Sequence, residues 1–92
     1  NDKQINLQNL IHKNQKYRMK YLCQYWGIGP WTAEMWGMFI CRDPNIWSNG
    51  DLILKKIIKN LVSDSRMTEL DLIDASAPFK TYLAIYCWRS SD

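Results

Sequence analysis

Asp51 stands directly after Asn49-Gly50 and directly before the apolar run Leu52-Ile53-Leu54. A carboxylate at that place opens a helix, and the free N–H groups of a first turn stabilise its negative charge. Such a group can serve as a helix cap. It can equally oppose positive charge that develops on a reacting molecule, or orient a water. Upstream the chain reads Tyr25-Trp26-Gly27-Ile28-Gly29-Pro30-Trp31-Thr32-Ala33. A helix ends there, two glycines flank one apolar residue, and a new helix starts at proline. The glycines permit positive φ and leave no side chain in the way of a ligand. Ile28 is expected to point inward and pin the turn. Pro30 pre-sets the new helix and gives up only an N–H that has no partner there. The amides of the turn and of the helix start then point outward, where a phosphate can sit. The same segment also reads as an ordinary connection between two helices.

Other chemistries fall away. His12 is the only histidine of the 92 residues, so a Ser-His-Asp or Cys-His site lacks a base elsewhere. Cys23, Cys41 and Cys87 are odd in number, widely spaced and without a Cys-x-x-Cys pair. They cannot form a complete disulfide framework or a zinc ribbon. They read as free thiols, mostly buried, in a reducing compartment. No apolar run approaches the roughly 18–20 residues of a membrane span, and residues 1–20 contain no apolar signal core. The expected location is the cytoplasm, or the nucleus of a eukaryote, not the exterior. The net charge is +3. Lys3, Lys13, Lys16, Arg18 and Lys20 stand against Asp2 in residues 1–26, and Lys55, Lys56 and Lys59 form a second basic group. Asp64, Glu69, Asp71 and Asp74 make residues 64–74 acidic. A basic side suits a polyanion, although lysines that only solvate helix faces give the same composition.

The elements that must position these groups are helices. Apolar residues recur at helical spacing, and sustained strand-like alternation is absent. The pattern predicts an all-α chain of about six helices. The first lies near Leu7–Lys13, with Asn6 as cap. The second runs near Lys16–Tyr25, with Tyr17, Tyr21, Leu22 and Tyr25 on one face. The third starts at Pro30 and carries Ala33, Trp36, Phe39 and Ile40 at core spacing. A loop, Arg42–Gly50, leads to a fourth helix over Leu52–Val62 that packs through Ile53, Ile57, Ile58 and Leu61. Thr68 with Asp71 resembles a capping box opening a fifth. The sixth begins near Pro78, with Phe79, Tyr82, Leu83 and Tyr86 on one stripe.

The run Gly27-Ile28-Gly29-Pro30-Trp31-Thr32-Ala33-Glu34 resembles the helix-hairpin-helix of the base-excision DNA glycosylase superfamily. Trp47-Ser48-Asn49-Gly50-Asp51-Leu52 fills the place of that family's catalytic aspartate. With the ending Phe79-Lys80-Thr81-Tyr82-Leu83-Ala84-Ile85-Tyr86-Cys87-Trp88-Arg89, the likeness is nearest to the 3-methyladenine DNA glycosylase II type and extends from Leu7 to Arg89. On this resemblance the hairpin spans about 16–41, the catalytic loop 42–51 and the C-terminal helices 52–90. The chain would be the C-terminal portion of a glycosylase domain, and the N-terminal remainder of the same enzyme would be its partner. Opening on Asn1-Asp2 rather than Met fits such a fragment.

The resemblance implies that Asp51 faces the sugar of an extruded nucleotide. It would stabilise the oxocarbenium-like charge that builds as an N-glycosidic bond breaks, and activate the water. A purine alkylated on a ring nitrogen is already cationic and leaves without protonation, so one carboxylate suffices. Trp31 occupies the place where strand-cutting relatives carry a Schiff-base lysine, and no lysine lies between Lys20 and Lys55. This implies a monofunctional enzyme. Three scattered cysteines cannot supply the four-cysteine loop of the iron–sulfur relatives, so no cluster is expected. Trp31 and Trp88 match positions of aromatics around a flipped base, where a cationic ring is attracted to aromatic faces. Both could also be core residues. Met35 stands where some relatives carry a third aromatic. Trp26, Trp36 and Trp47 are assigned to packing. Gly27, Ile28, Gly29 and Thr32 would contact phosphate, with Thr32 also an ordinary first-turn residue. The backbone carbonyls of Cys23, Tyr25 and Gly27 would hold a structural Na+ or K+, and no other cofactor is expected. The partner would be double-stranded DNA containing alkylated bases.

Two other functions fit the residues. A helix-hairpin-helix can be a non-catalytic phosphate clamp, with affinity from sequence-independent contacts and Asp51 only a cap. The chain could also be a helical interaction domain that binds no nucleic acid.

Overall fold

The computed structural model describes residues 7–25 and 27–91. The expected cap at Asn6 and the packing role of Trp26 lie outside the described residues. Six helices and no strand occur among those residues, as the periodicity requires: α1 Leu7–Ile11, α2 Gln15–Cys23, α3 Pro30–Phe39, α4 Leu52–Val62, α5 Glu69–Ala75 and α6 Lys80–Ser90.

Local chemistry sets the boundaries. Asn14 caps α2 by accepting from the Tyr17 amide at 2.8 Å. Thr68 and Asp71 form the expected reciprocal capping box of α5, at 3.0 and 3.1 Å. Arg42 adopts φ 57° just beyond α3 and turns the chain into the loop. The sixth helix starts at Lys80, two residues later than Pro78 suggests, behind a cis Ala77–Pro78 peptide. The loop supplies the reason. Asn45 Oδ1 and the Pro44 carbonyl accept from the Lys80 and Thr81 amides at 3.4 and 2.9 Å, capping the helix from outside.

Helix α2 packs on α3, α4 packs on α6, and α5 touches both α4 and α6. Two small cores result. Leu10, Leu22 and Ala33 form one; Met38, Ile46, Leu54, Ile58, Ala84 and Cys87 form the other. Helix α3 serves both, through Ala33 near its start and Met38 near its end.

Several expected core faces are rotated. On α2 the buried side chains are Arg18 and Leu22, while Tyr17 is 48% exposed and Tyr21 and Tyr25 are half-buried in a ring ladder beside it. Arg18 turns inward because Asp43, Gln15 Oε1 and the Lys13 carbonyl satisfy its guanidinium. On α3 the contact is made by Ala33, Gly37 and Met38; Trp36 is half-buried, and Phe39 and Ile40 are exposed. A Cβ at Gly37 would sit 2.7 Å from both Gln15 Oε1 and Ile46 Cδ1, so any larger residue would force these two side chains to shift. On α4 the buried residues are Leu54 and Ile58, with Ile57 half-buried and Ile53 and Leu61 exposed. On α6 they are Thr81, Ala84 and Cys87, while Phe79, Tyr82 and Tyr86 face out and Leu83 is half-buried. Small side chains let helices approach closely, and the large aromatic ones are left outside. Cys87 is buried, Cys23 and Cys41 only partly, and all three thiols are free.

Candidate active site

Asp51 is the N-cap of α4, with its Oδ1 accepting from the Leu54 amide at 3.0 Å. The same carboxylate receives two indoles. Trp31 Nε1 donates to Oδ2 at 3.0 Å, and Trp88 Nε1 donates to Oδ1 at 3.3 Å. Trp31 comes from the first turn of α3 and Trp88 from the last turns of α6, so three helices meet at one half-buried carboxylate.

Burial is the largest influence on this carboxyl and pushes its pKa up. Four donors oppose it: the Trp31 indole, the Leu54 amide, the Trp88 indole and the Ile53 amide. Together they outweigh burial and hold Asp51 below the ordinary carboxylate value. The group is a fixed anion at neutral pH, as a helix-start carboxylate requires.

Beside the Arg18–Asp43 pair and the bonds of Asn45 and Pro44 to α6, two buried hydroxyls anchor the loop that delivers Asp51. Thr81, buried on α6, accepts from the Ile46 amide at 2.9 Å and donates to the Asp43 carbonyl at 2.7 Å. Further on, Ser48 donates its hydroxyl to Glu34 Oε1 at 2.7 Å. Thr81 and Glu34 both lie in the runs that carry the family resemblance, yet no role attaches to either on residue type alone. For Thr81 the signal was its place on the stripe with Ala84 and Trp88, a polar residue at helical spacing on a buried face. Nothing local singles out Ser48.

The other expected site residues are spread over two places. Trp88 leans on Phe39, ring centroids 6.3 Å apart, and Trp31 is 51% exposed beside the carboxylate. Met35 is half-buried against the core of Met38, Leu54 and Ile58. Trp36 and Trp47 are also half-buried, one against each core, in keeping with packing. The α2–α3 turn forms the second place. Gly27 takes φ 87°, a conformation that favours glycine, and is exposed. Ile28 is half-buried against Leu10, Leu22 and Ala33, inward as expected, and its amide donates to the Tyr25 carbonyl at 3.2 Å. Gly29 caps α3 in extended conformation, its carbonyl accepting from the Ala33 amide at 3.1 Å. Open space surrounds a Cβ built on Gly27 or Gly29, and Thr32 is exposed one helical position after Trp31. The turn surface is therefore open to a ligand.

A protein of Bacillus subtilis (strain 168), provisionally named DNA-3-methyladenine glycosylase YfjP, is 31% identical to this chain over 90 residues, 94% of the chain. A second protein of that organism, named DNA-3-methyladenine glycosylase, is 32% identical over 90 residues, again 94% of the chain. This chain is similar to DNA-3-methyladenine glycosylases. The resemblance to 3-methyladenine DNA glycosylases is thereby borne out for the chain as a whole. The chain spans about a third of the length of these glycosylases, 31% and 30% respectively. No family model matches it, and no solved structure matches it significantly. Among the described residues, no helix is long and apolar enough to cross a membrane.

Proposed function

We propose that this chain is the C-terminal portion of a monofunctional DNA glycosylase that hydrolyses the N-glycosidic bond of alkylated purines such as 3-methyladenine. The observation that carries this reading is the convergence of the Trp31 and Trp88 indoles on Asp51. The names of the relatives support the same reaction class.

Asp51 is held ionised, so it is present as an anion when the sugar acquires positive charge, and that stabilises the transition state over the ground state. Its oxygens also accept hydrogen bonds, which suits orienting the attacking water. Both indoles use their ring edges on the carboxylate; Trp31, half exposed, leaves a face for a cationic purine beside it, while Trp88 is backed by Phe39 and the core and would border the base. Trp31 offers no amine, so a Schiff base, and with it strand cleavage, is not supported at this position. Gly27, Ile28, Gly29 and Thr32 would hold the duplex by its phosphate backbone and supply affinity without sequence preference. The carbonyls of Cys23, Tyr25 and Gly27 would hold a monovalent cation, as the resemblance implies. Such an ion would neutralise a neighbouring phosphate. Helices outside this chain, in the N-terminal remainder, would complete the base pocket.

The test is formation of abasic sites in methylated duplex DNA by the full-length protein. Release of alkylated purine with the strands left intact is the expected result. Binding without base release would leave the phosphate-clamp reading. No DNA binding at all would leave the helical interaction domain.

A further inference from the structure

Glu34 follows Trp31 by one turn of α3, so both side chains leave the same face of the helix. Both reach the loop that ends at Asp51. Trp31 bonds the carboxylate itself, and Glu34 accepts the hydroxyl of Ser48 at 2.7 Å. Ser48 is 0% exposed, so its hydroxyl has no water to turn to if that acceptor is removed. Its carbonyl in turn accepts from the Asp51 amide at 3.2 Å, closing a tight turn through Asn49 and Gly50. Gly50 is exposed, and a Cβ there would meet nothing within 4 Å. The turn therefore has little packing of its own, and Ser48 is the last buried anchor before Asp51.

We propose that Glu34 and Ser48 are positioning residues for Asp51. The Glu34 carboxylate fixes Ser48, and the Ser48 carbonyl fixes the backbone of Asp51 relative to the sugar-facing side of the site. The loop upstream is held separately, by Thr81 at Asp43 and Ile46. Loss of the Glu34 bond therefore frees the 48–51 turn without undoing the rest of the loop. A displacement of about 1 Å at a reacting group costs on the order of 100-fold in rate, so a small relaxation of this turn is enough to matter. The inference rests on the reading of Asp51 as the catalytic carboxylate.

The experiment uses the full-length protein with Glu34→Ala, Ser48→Ala, Glu34→Gln and, in parallel, Asp51→Asn. Three quantities are read: the single-turnover rate of methylpurine release, the affinity for methylated duplex DNA, and the indole N–H resonances of Trp31 and Trp88. Both alanine variants are expected to slow release by about tenfold or more with unchanged DNA affinity and to shift both indole resonances. Glu34→Gln keeps an oxygen that can accept from Ser48 and is expected to restore most of the rate. The proposal is overturned by unmoved indole resonances in the alanine variants, by a rate loss that glutamine does not rescue, or by a loss confined to DNA affinity. If Glu34→Ala does not fold, Ser48→Ala removes the same bond with no change of charge. Full activity in Asp51→Asn would defeat the catalytic reading instead, and the indole resonances would still decide the positioning.

Discussion

Trp31 at the start of α3 and Asp51 at the cap of α4 are joined by an indole-to-carboxylate hydrogen bond of 3.0 Å. A first-turn residue of α3 thus touches the group proposed to do the chemistry. Gly29 is the N-cap of α3 and Thr32 lies in its first turn, so a strand held at this turn, as proposed, would be held in fixed relation to Asp51.

Replacing Trp31 by Phe keeps an aromatic ring and removes its donor. The Asp51 pKa is then expected to rise toward the ordinary carboxylate value, because one of the four donors that outweigh burial is gone. A carboxyl depressed in the folded state contributes stability that is fully present above its unfolded pKa and is lost as pH falls through the lower folded value. In Trp31→Phe that contribution shrinks, and its loss, which still starts at the unfolded pKa, is complete at a higher pH. A carbon-detected titration of the Asp51 carboxyl checks this; an unmoved midpoint would contradict it.

The two hairpin glycines should separate on mutation. Gly29 has φ −95° and open space around a Cβ, so Gly29→Ala is expected to leave the melting temperature unchanged. Gly27 has φ 87°, and Gly27→Ala is expected to cost about 1–2 kcal/mol of stability through backbone strain alone. If phosphate sits against this turn, Gly29→Ala also weakens duplex binding by about tenfold, the equivalent of one charge-assisted hydrogen bond. Equal DNA affinity in Gly29→Ala and the native protein would place the contact elsewhere.

Much of the site was legible in the sequence because its parts are local. A glycine turn before Pro30, an aspartate before an apolar run and a Thr68–Asp71 box each carry their physics within a few residues. The helical elements followed from spacing. What spacing could not supply was which face each helix buries. Phe79, Tyr82 and Tyr86 form a regular apolar stripe, yet Thr81, Ala84 and Cys87 are the ones inside. Close approach between helices is decided by the partner's surface, which one helix's pattern does not contain. Arg18 went unread as a core residue for the same reason, since its acceptors come from α2's own first turn, the segment before it and Asp43 beyond α3. Ser48 and Glu34 are 14 residues apart in sequence and meet only through the fold.

Thr81 ties the loop to α6 with one hydroxyl that both accepts and donates. Thr81→Val keeps the shape and leaves the Ile46 amide and the Asp43 carbonyl without that partner. A loss of about 1–3 kcal/mol in a denaturant titration is expected, the cost of buried polar groups left unsatisfied. Thr81→Ser, which keeps the hydroxyl, is expected to recover most of it. Equal stability in Thr81→Val and the native protein would show that the bridge does not hold the loop.

On the proposed reaction, the Asp51 charge lowers the barrier to base release. Asp51→Asn tests it most directly, because asparagine also caps helices well and keeps one acceptor for the Leu54 amide. The fold should survive while the charge does not. The full-length Asp51→Asn protein is expected to bind methylated duplex DNA as the native protein does and to release alkylated purine at least about 100-fold more slowly in a single turnover. Release at the native rate by a folded Asp51→Asn protein would contradict it.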